Sequence, residues 1–289
     1  MTNIRTEIRD NVGVLTIDRR ERFNSLDADT ARDLRKAGLQ LARDASVRAA
    51  IVRGEGGVFC SGADLKEIRA ARHPERSEGS QSATDLPFRD PSPSTRLRMT
   101  EGFGDGFKQI LEYIHSTISE IRRAPKPFIA AVDGIAAAGG FGLAMSCDLV
   151  FASDRAVFEW AYAKTGLTGA ESSTFFLPRL VGIRRAMEVL FLNPRLDARQ
   201  AVDYGFATAV YPTETFDDDV FALAQRLAAG PTEALGIAKN LINDAALMER
   251  LDHHLDRELD HLARIADGDD FAEGIAAFFE KRAPAFGAK

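Results

Sequence analysis

Short apolar runs alternate with segments of helical periodicity along the first two-thirds of the chain. Between the runs, apolar residues recur every three or four positions, as in residues 31–42 and 107–121, and predict amphipathic helices. The runs themselves are continuous rather than alternating, which is typical of strands buried on both faces; they cover residues 12–17, 49–52, 128–132 and 148–152. Strands that alternate with helices in this way predict an α/β fold with a parallel sheet covered on both faces.

Two further patterns concern the ends of the chain. Residues 6–8 and 12–17 flank Asp10 and Asn11, a turn-forming pair, which indicates a β-hairpin. From about Pro194 onward the pattern is helical, and the apolar residues of 251–265 step by three and four. We therefore expect the chain to finish in a helical region.

Residues 72–98 break the pattern. They are rich in Ser, Pro, Arg and Glu and have almost no apolar periodicity. Such a segment cannot bury enough apolar surface to offset the entropy lost on ordering. The composition predicts an exposed insertion or mobile loop, with a lid over a functional site as the alternative.

Composition narrows the classes of function without choosing one. The 289 residues carry a net charge of -6, which argues against nucleic acid as the main partner. The polar first residues have no apolar core of a secretory signal, and no run approaches the roughly 18 to 20 apolar residues of a membrane span. Cys60 and Cys147 make neither a disulfide framework nor a zinc pattern. Free buried thiols, no metal site, no membrane partner and a cytoplasmic location are therefore expected.

Two turns with small residues carry the candidate chemistry. The first reads FCSGADL at residues 59–65, where small side chains after a strand let the backbone approach a ligand. The second reads AVDGIAAAGGFG at residues 131–142, where a strand turns into a helix. Backbone N–H groups exposed at the start of that helix would favour negative charge.

Together and in this order, the two turns resemble the paired signature of the enoyl-CoA hydratase/isomerase (crotonase) superfamily, FxxGADL and AVNGxAxGGG…CD. The resemblance covers nearly the whole chain apart from the insertion, and includes SLDADTARDLRKA, LPRLVG, LDARQAVDYGFATAV and EGIAAFFEKRAPAF. It implies a crotonase-like ββα spiral in residues 1–195 and a helical region in residues 196–289 for assembly and coenzyme A contacts. It also implies homotrimers, often paired into homohexamers.

The resemblance assigns a catalytic role to one amide in each turn. The N–H groups of Ala63 and Gly139 would form an oxyanion hole that holds the thioester oxygen as it becomes an enolate. Each such donor contributes about 3 to 4 kcal/mol in the transition state. The alternative is that the glycines only permit tight turns and close helix packing.

Substrate contacts are also implied by the resemblance. Phe278 and Lys281 match positions that reach the coenzyme A of a neighbouring subunit, and Arg22 would contact phosphates. The alternative for Phe278 is a core residue, and the alternative for Lys281 and Arg22 is a charge in contact with solvent only. Adenine and pantetheine would lie along the first turn, at Ser61, Asp64 and Leu65.

The acid and base positions depart from those of typical hydratases, which use two glutamates to place one water. These positions hold Gly142 and Tyr162 here. Many isomerases of the superfamily read GLxPDxxSS, with one acid that moves a proton between carbons. This chain reads GLTGAESS, with Ala170 at the usual position and Glu171 one residue later. One residue along a helix turns a side chain by about 100°, so Glu171 points away unless the loop shifts locally.

Glu171 is nevertheless the main candidate for the catalytic base, since a partly buried glutamate beside an enolate site would have a raised pKa. The alternative for Glu171 is an exposed acid or a helix cap. Glu159 is the second candidate for the acid, and Tyr162 either donates a hydrogen bond or a proton, or shapes the pocket.

The favoured function is a proton transfer on an acyl-CoA thioester through a stabilised enolate, most simply a double-bond isomerisation. The thioester is the substrate and no cofactor is expected. Hydration with unusual acid and base residues, decarboxylation and C–C hydrolysis stay open. A protein that binds CoA thioesters without catalysis is the alternative from a different class.

Overall fold

The computed structural model describes residues 3–72 and 102–287. Its strands, in chain order, are β1 (Ile4–Arg9), β2 (Val12–Ile17), β3 (Ala49–Gly54), β4 (Val58–Cys60), β5 (Phe128–Val132), β6 (Ile135–Ala137), β7 (Leu149–Ser153), β8 (Val157–Glu159), β9 (Arg195–Asp197) and β10 (Ala209–Tyr211). Its α-helices are α1 (Ala28–Arg43), α2 (Leu65–Arg72), α3 (Phe103–Arg123), α4 (Gly139–Ser146), α5 (Ser173–Leu192), α6 (Ala198–Tyr204), α7 (Phe216–Ala228), α8 (Thr232–Ala245), α9 (Leu251–Ala266) and α10 (Asp269–Glu280).

The predicted hairpin is confirmed, because β1 and β2 pair antiparallel. Its two turn residues, Asp10 and Asn11, have φ of 51° and 60°. A type I′ hairpin turn needs positive φ at both central positions, which Asp and Asn tolerate better than other side chains.

The larger sheet has six strands in the order β1-β2-β3-β5-β7-β10, and every pair after the hairpin is parallel. One face packs on α7, whose buried Phe216, Val220, Ala224 and Ala228 step by four residues. The opposite face packs in the main core with α1 and α3, for example through Leu34 and Ile118. The prediction of a parallel sheet covered on both faces is therefore confirmed.

The smaller sheet has the order β4-β6-β8-β9 and turns the fold into a spiral. Each long strand β3, β5 and β7 is followed by a short strand of this second sheet, and then by a helix after each of the first two pairs. This repeat is the predicted ββα spiral. It places the carboxyl ends of β4 and β6, which are parallel neighbours, at one edge of the smaller sheet.

The region from residue 196 onward differs in one respect from the helical prediction. β10 lies within it and forms the last strand of the larger sheet, while β9, at its start, pairs antiparallel with β8. Each has three residues, which is too short to show a strand periodicity in the sequence. From Phe216 onward the regular elements are helical, as predicted.

The predicted insertion at 72–98 lies outside the described residues apart from residue 72, which ends α2. Within the described ranges, no helix is long and apolar enough to cross a membrane.

Candidate functional site

The two turns identified in the sequence touch each other in the structure. Gly62, in the turn after β4, has φ of 91°, and a Cβ placed on it would lie 2.9 Å from the Cβ of Ala138 and 3.0 Å from the nitrogen of Gly139. Gly140 packs equally closely on Cys60, where an added Cβ would overlap the carbonyl oxygen. Only glycine permits this approach, which brings the amides of Ala63 and Gly139 to the same edge of the smaller sheet.

Both amides are available to a ligand. Within the described residues, neither the N–H of Ala63 nor that of Gly139 donates a hydrogen bond to a protein acceptor. Gly139 is the first residue of α4, where helical N–H groups have no partner within the helix. The arrangement is suited to a developing negative charge on an oxygen.

The turn that carries Ala63 is anchored from both sides. Leu26 N donates to Gly62 O and Asp64 N donates to Leu26 O, each at 2.9 Å. The Asp64 carboxylate accepts from Arg19 Nη1 at 2.7 Å and from the backbone N–H of Lys66 at 3.0 Å, at the start of α2. Asp64 lines the cavity, but the bonds of its carboxylate go to protein groups and fix the turn, so its contact with substrate stays a prediction.

The acid at 171 does not sit within a helix. Glu171 and Ser172 have φ of 49° and 63°, so two consecutive left-handed residues precede α5. Each such non-glycine residue costs roughly 1 to 3 kcal/mol and persists only where contacts with its surroundings offset that cost. The expectation that Glu171 points away from the substrate was therefore wrong in its premise, because a rotation of about 100° per residue holds only within a helix. The turn directs the carboxyl to the second glycine turn, where Glu171 Oε1 would lie 2.7 Å from a Cβ on Gly139.

Gly142, the position where a hydratase glutamate was expected, makes room for Glu171. A Cβ on Gly142 would overlap the carbonyl oxygen of Glu171 and lie 3.0 Å from its Cβ. The absence of a side chain at Gly142 and the position of Glu171 therefore depend on each other, because the backbone of Glu171 packs in the space that a side chain at 142 would fill. A larger residue at 142 would displace the turn that carries the acid.

The environment of Glu171 favours its protonated form. The residue is 3% exposed, and this burial raises its pKa from 4.5 to about 7. A hydrogen bond donated by the Tyr162 hydroxyl acts in the opposite direction, and the charge of Glu258 adds to the increase in pKa. A carboxyl group whose pKa lies near neutral can both accept and return a proton.

Tyr162 supports the acid rather than competing with it. Its hydroxyl contacts Glu171 Oε2 and also lies 3.2 Å from the carbonyl oxygen of Ala170. Burial and the neighbouring Glu171 charge raise the pKa of Tyr162 well above its ordinary value. The phenol therefore stays protonated and donates a hydrogen bond.

Glu159 is held by cations. Its carboxylate forms an ion pair with Lys164, lies 3.7 Å from Arg195 Nε and accepts from Asn193 Nδ2 at 3.4 Å. It lines the cavity, but these partners engage its oxygens.

A cavity of about 380 Å³ brings most of the predicted residues together. It is lined by Arg22, Ser61, Ala63, Asp64, Leu65, Gly139, Tyr162, Glu171 and Phe278. Lys281 lines a second cavity that shares Lys164 and Phe278 with the first. Phe278 is 56% exposed, which contradicts its alternative as a core residue.

Sequence reasoning missed several residues of the cavity. Lys66 and Lys164 add positive charge to its wall, and Phe107, Leu167 and Leu262 add apolar surface. Lys66 directly follows the first motif, and this proximity was the only signal for it. Leu262 belongs to the apolar stripe of α9, which resembles any core-facing stripe in sequence.

Comparisons with known proteins identify the family of the chain. The family model described as Enoyl-CoA hydratase/isomerase matches residues 7–87 and 105–289. The chain is 32% identical over 290 residues to the 1,2-epoxyphenylacetyl-CoA isomerase of Escherichia coli (strain K12), with 100% of both chains covered. It is 31% identical over 279 residues to 4-chlorobenzoyl coenzyme A dehalogenase-2 of Arthrobacter sp, covering 96% of this chain and 91% of the relative. The crystal structure of an enoyl-CoA hydratase from Mycobacterium avium subsp. paratuberculosis K-10 superposes with a TM-score of 0.81 at 30% identity, covering 99% of both chains.

Proposed function

The chain belongs to the enoyl-CoA hydratase/isomerase (crotonase) superfamily of acyl-CoA enzymes, and on this premise we propose that it moves a proton between carbons of an acyl-CoA, as a double-bond isomerase does. Glu171 is the base. The N–H groups of Ala63 and Gly139 bind the thioester oxygen.

In the proposed reaction, the Glu171 carboxylate removes a proton from the α carbon of a β,γ-unsaturated thioester. The electron pair of the broken C–H bond forms a double bond between the α carbon and the carbonyl carbon, and the π pair of the carbonyl moves onto the thioester oxygen. The oxygen becomes the oxyanion of a dienolate, and its carbonyl bond re-forms when the γ carbon is protonated. The protonated Glu171 then returns the proton to the γ carbon, and the double bond ends between the α and β carbons. Atoms and charge balance without a metal, a cofactor or an added water.

The observation that carries the proposal is the position of the Glu171 carboxyl, buried beside Gly139 in the cavity that Ala63 and Gly139 line. A base must lie close to the carbon next to the thioester carbonyl, and the oxyanion donors define where that carbonyl is. A pKa of about 7 suits a group that takes up and releases the same proton.

The same geometry favours isomerisation over hydration. Hydration requires two groups that place and split one water. In this cavity the second carboxylate, Glu159, is paired with Lys164, while Glu171 has Tyr162 as its partner. One acid with a phenol donor supports transfer of a single proton.

Coenzyme A binding is supported by charge at the cavity wall. Arg22, Lys66 and Lys164 line it and suit the phosphates of a nucleotide. Phe278 and Lys281 line the adjoining cavity and are exposed, so they are available to a second chain's ligand. Assembly into homotrimers or homohexamers is part of the proposal.

The decisive experiment follows solvent deuterium exchange at the α and γ carbons of acyl-CoA thioesters. The set would include saturated, β,γ-unsaturated and phenylacetyl thioesters, with wild type, Glu171→Gln and Glu159→Gln compared. We expect exchange in wild type that falls by about 100-fold or more in Glu171→Gln, the usual loss on removing a general base. Glu159→Gln should keep most of it.

Other outcomes would contradict the proposal in different ways. Exchange that survives Glu171→Gln and is lost in Glu159→Gln would identify Glu159 as the base. Hydration of α,β-unsaturated thioesters without γ exchange would identify a hydratase. Binding of thioesters without any exchange would identify a binding protein.

A further inference from the structure

We infer that Glu258, on α9, is a positioning residue for Glu171: its carboxylate binds the turn that carries Glu171 and thereby aims the Glu171 carboxyl at Gly139. The inference rests on the proposed role of Glu171 as base. Glu258 does not line the cavity and acts only through Glu171.

Both carboxylate oxygens of Glu258 bind the start of α5. Oε2 accepts from Ser172 N at 2.8 Å, and Oε1 accepts from Thr174 N at 3.0 Å. The Thr174 hydroxyl donates a further bond to Oε1. The first amides of a helix have no acceptor within it, and a carboxylate there both satisfies them and meets the positive end of the helix dipole. Glu258 thus caps α5 from a different helix.

The turn depends on this external support. Glu171 and Ser172 both hold left-handed backbone conformations that favour glycine. The Ser172 hydroxyl, which would be the local capping group, is buried and has no hydrogen-bond partner among the described residues. The bond from Ser172 N to Glu258 lies one peptide unit from Glu171, so it constrains the φ and ψ angles that aim the acid.

Glu258 is itself held in place. His254 lies one turn earlier on α9, and its Nε2 is 2.7 Å from Thr174 Oγ1 and 3.5 Å from Glu258 Oε1. The His254 ring packs edge-on against Phe175, with centroids 5.3 Å apart. The contacts from Glu171 through Ser172 to Glu258 are therefore continuous and buried, and Thr174 and His254 beside them are half-buried.

The test is a double-mutant cycle on the exchange reaction, with wild type, Glu171→Gln, Glu258→Gln and the double variant. Gln keeps the size of the side chain, but its NH₂ group cannot accept from a backbone N–H. We expect Glu258→Gln to lower kcat by about 10- to 100-fold, the scale of a base misplaced by up to 1 Å, with KM within about twofold. In the Glu171→Gln background it should lower kcat no further, because it acts through Glu171.

Two further variants complete the design. Asp260→Asn removes an exposed acid from the same helix and should leave the exchange rate unchanged. Thr174→Val removes one bond to Glu258, should fold even if Glu258→Gln does not, and should lower kcat in the same direction but less. It should also have no effect when Gln replaces Glu171.

The results distinguish failure of the proposed function, which rests on Glu171, from failure of the inference about Glu258. Full exchange in Glu171→Gln would overturn the proposed function, and the inference with it. If exchange is lost in Glu171→Gln, the proposed function stands. If Glu258→Gln and Thr174→Val then leave kcat undiminished or change only KM, the inference alone is overturned. Additive losses in the double variants would also overturn it.

Discussion

At the scale of single residues, burial sets the chemistry of Glu171. The carboxyl is enclosed almost completely, and its ionised form has one phenol donor instead of bulk water. Its pKa is therefore raised to about 7 in the native state, against 4.5 when the chain is unfolded. Between these two values the native carboxyl keeps a proton that the unfolded one has lost, so the free energy of unfolding falls as pH rises through this window.

The stability of Glu171→Gln tests this difference. Gln cannot ionise, so the variant should gain stability relative to wild type as pH rises, by about 2 to 3 kcal/mol between pH 5 and pH 8. Free energies of unfolding from denaturant titrations at both pH values measure it. Asp260→Asn, at an exposed position, serves as the control and should show no such trend. A Glu171→Gln effect that is independent of pH would contradict the raised pKa.

At the scale of elements, the site depends on close approach between α4 and its neighbours. Every residue of α4 is buried, and Gly139, Gly140 and Gly142 lie within it. Gly140 lets the helix pack on Cys60, while Gly139 and Gly142 leave the space that Glu171 occupies. The same glycines that weaken a helix in isolation therefore allow the oxyanion amide and the acid to share one cavity.

Gly142→Ala tests the link between α4 and the turn before α5. Its methyl group would overlap backbone of Glu171, so we expect a loss of about 1 to 3 kcal/mol in the free energy of unfolding, as in other overpacked cores. Proton exchange should fall together with stability, because Glu171 is displaced. Gly106→Ala in α3 is the matched control, since its Cβ would lie 3.9 Å from Ile68. If Gly142→Ala exchanges protons at the wild-type rate, the two elements are not coupled as described.

At the scale of the whole molecule, two helices leave apolar side chains uncovered. On α5, Ile183, Met187 and Phe191 step by four residues and are exposed, and on α8 Ile237 and Leu241 do the same. Contiguous apolar surface of this kind marks an interaction site in a folded protein. These faces support the proposed assembly of the chain with copies of itself.

Charge placed on this surface tests the assembly. We expect light scattering after size exclusion to give three or six chains for wild type and fewer for the double variant Ile183→Glu with Phe191→Glu. Burying two uncompensated carboxylates at an interface costs more free energy than the apolar contacts of Ile183 and Phe191 would contribute there. If Phe278 and Lys281 serve a neighbour's ligand, KM should rise with dissociation. A monomeric wild type would contradict the proposed assembly.

Several features followed from local sequence alone. The turn-forming pair predicted the hairpin of β1 and β2, the apolar runs predicted the parallel sheet, and helical periodicity predicted most helices. Each of these signals depends only on neighbours within a few positions. The glycine turns at 59–65 and 131–142 were also visible locally, but the roles of the Ala63 and Gly139 amides came from the resemblance of these turns to the family signature.

Contacts between distant segments decided the rest. Glu171 faces the site because Gly142 leaves space for its turn and Glu258 binds that turn, and these residues are 29 and 87 positions away from it. The Asp64 carboxylate binds protein groups because Arg19, just after the end of β2, donates a hydrogen bond to it. Side-chain direction and pKa depend on what packs around a group in three dimensions, and spacing along the chain carries no record of those neighbours. For this protein, the sequence therefore indicated the two glycine turns and offered Glu171 as a candidate, whereas the tertiary structure decided where the Glu171 carboxyl points.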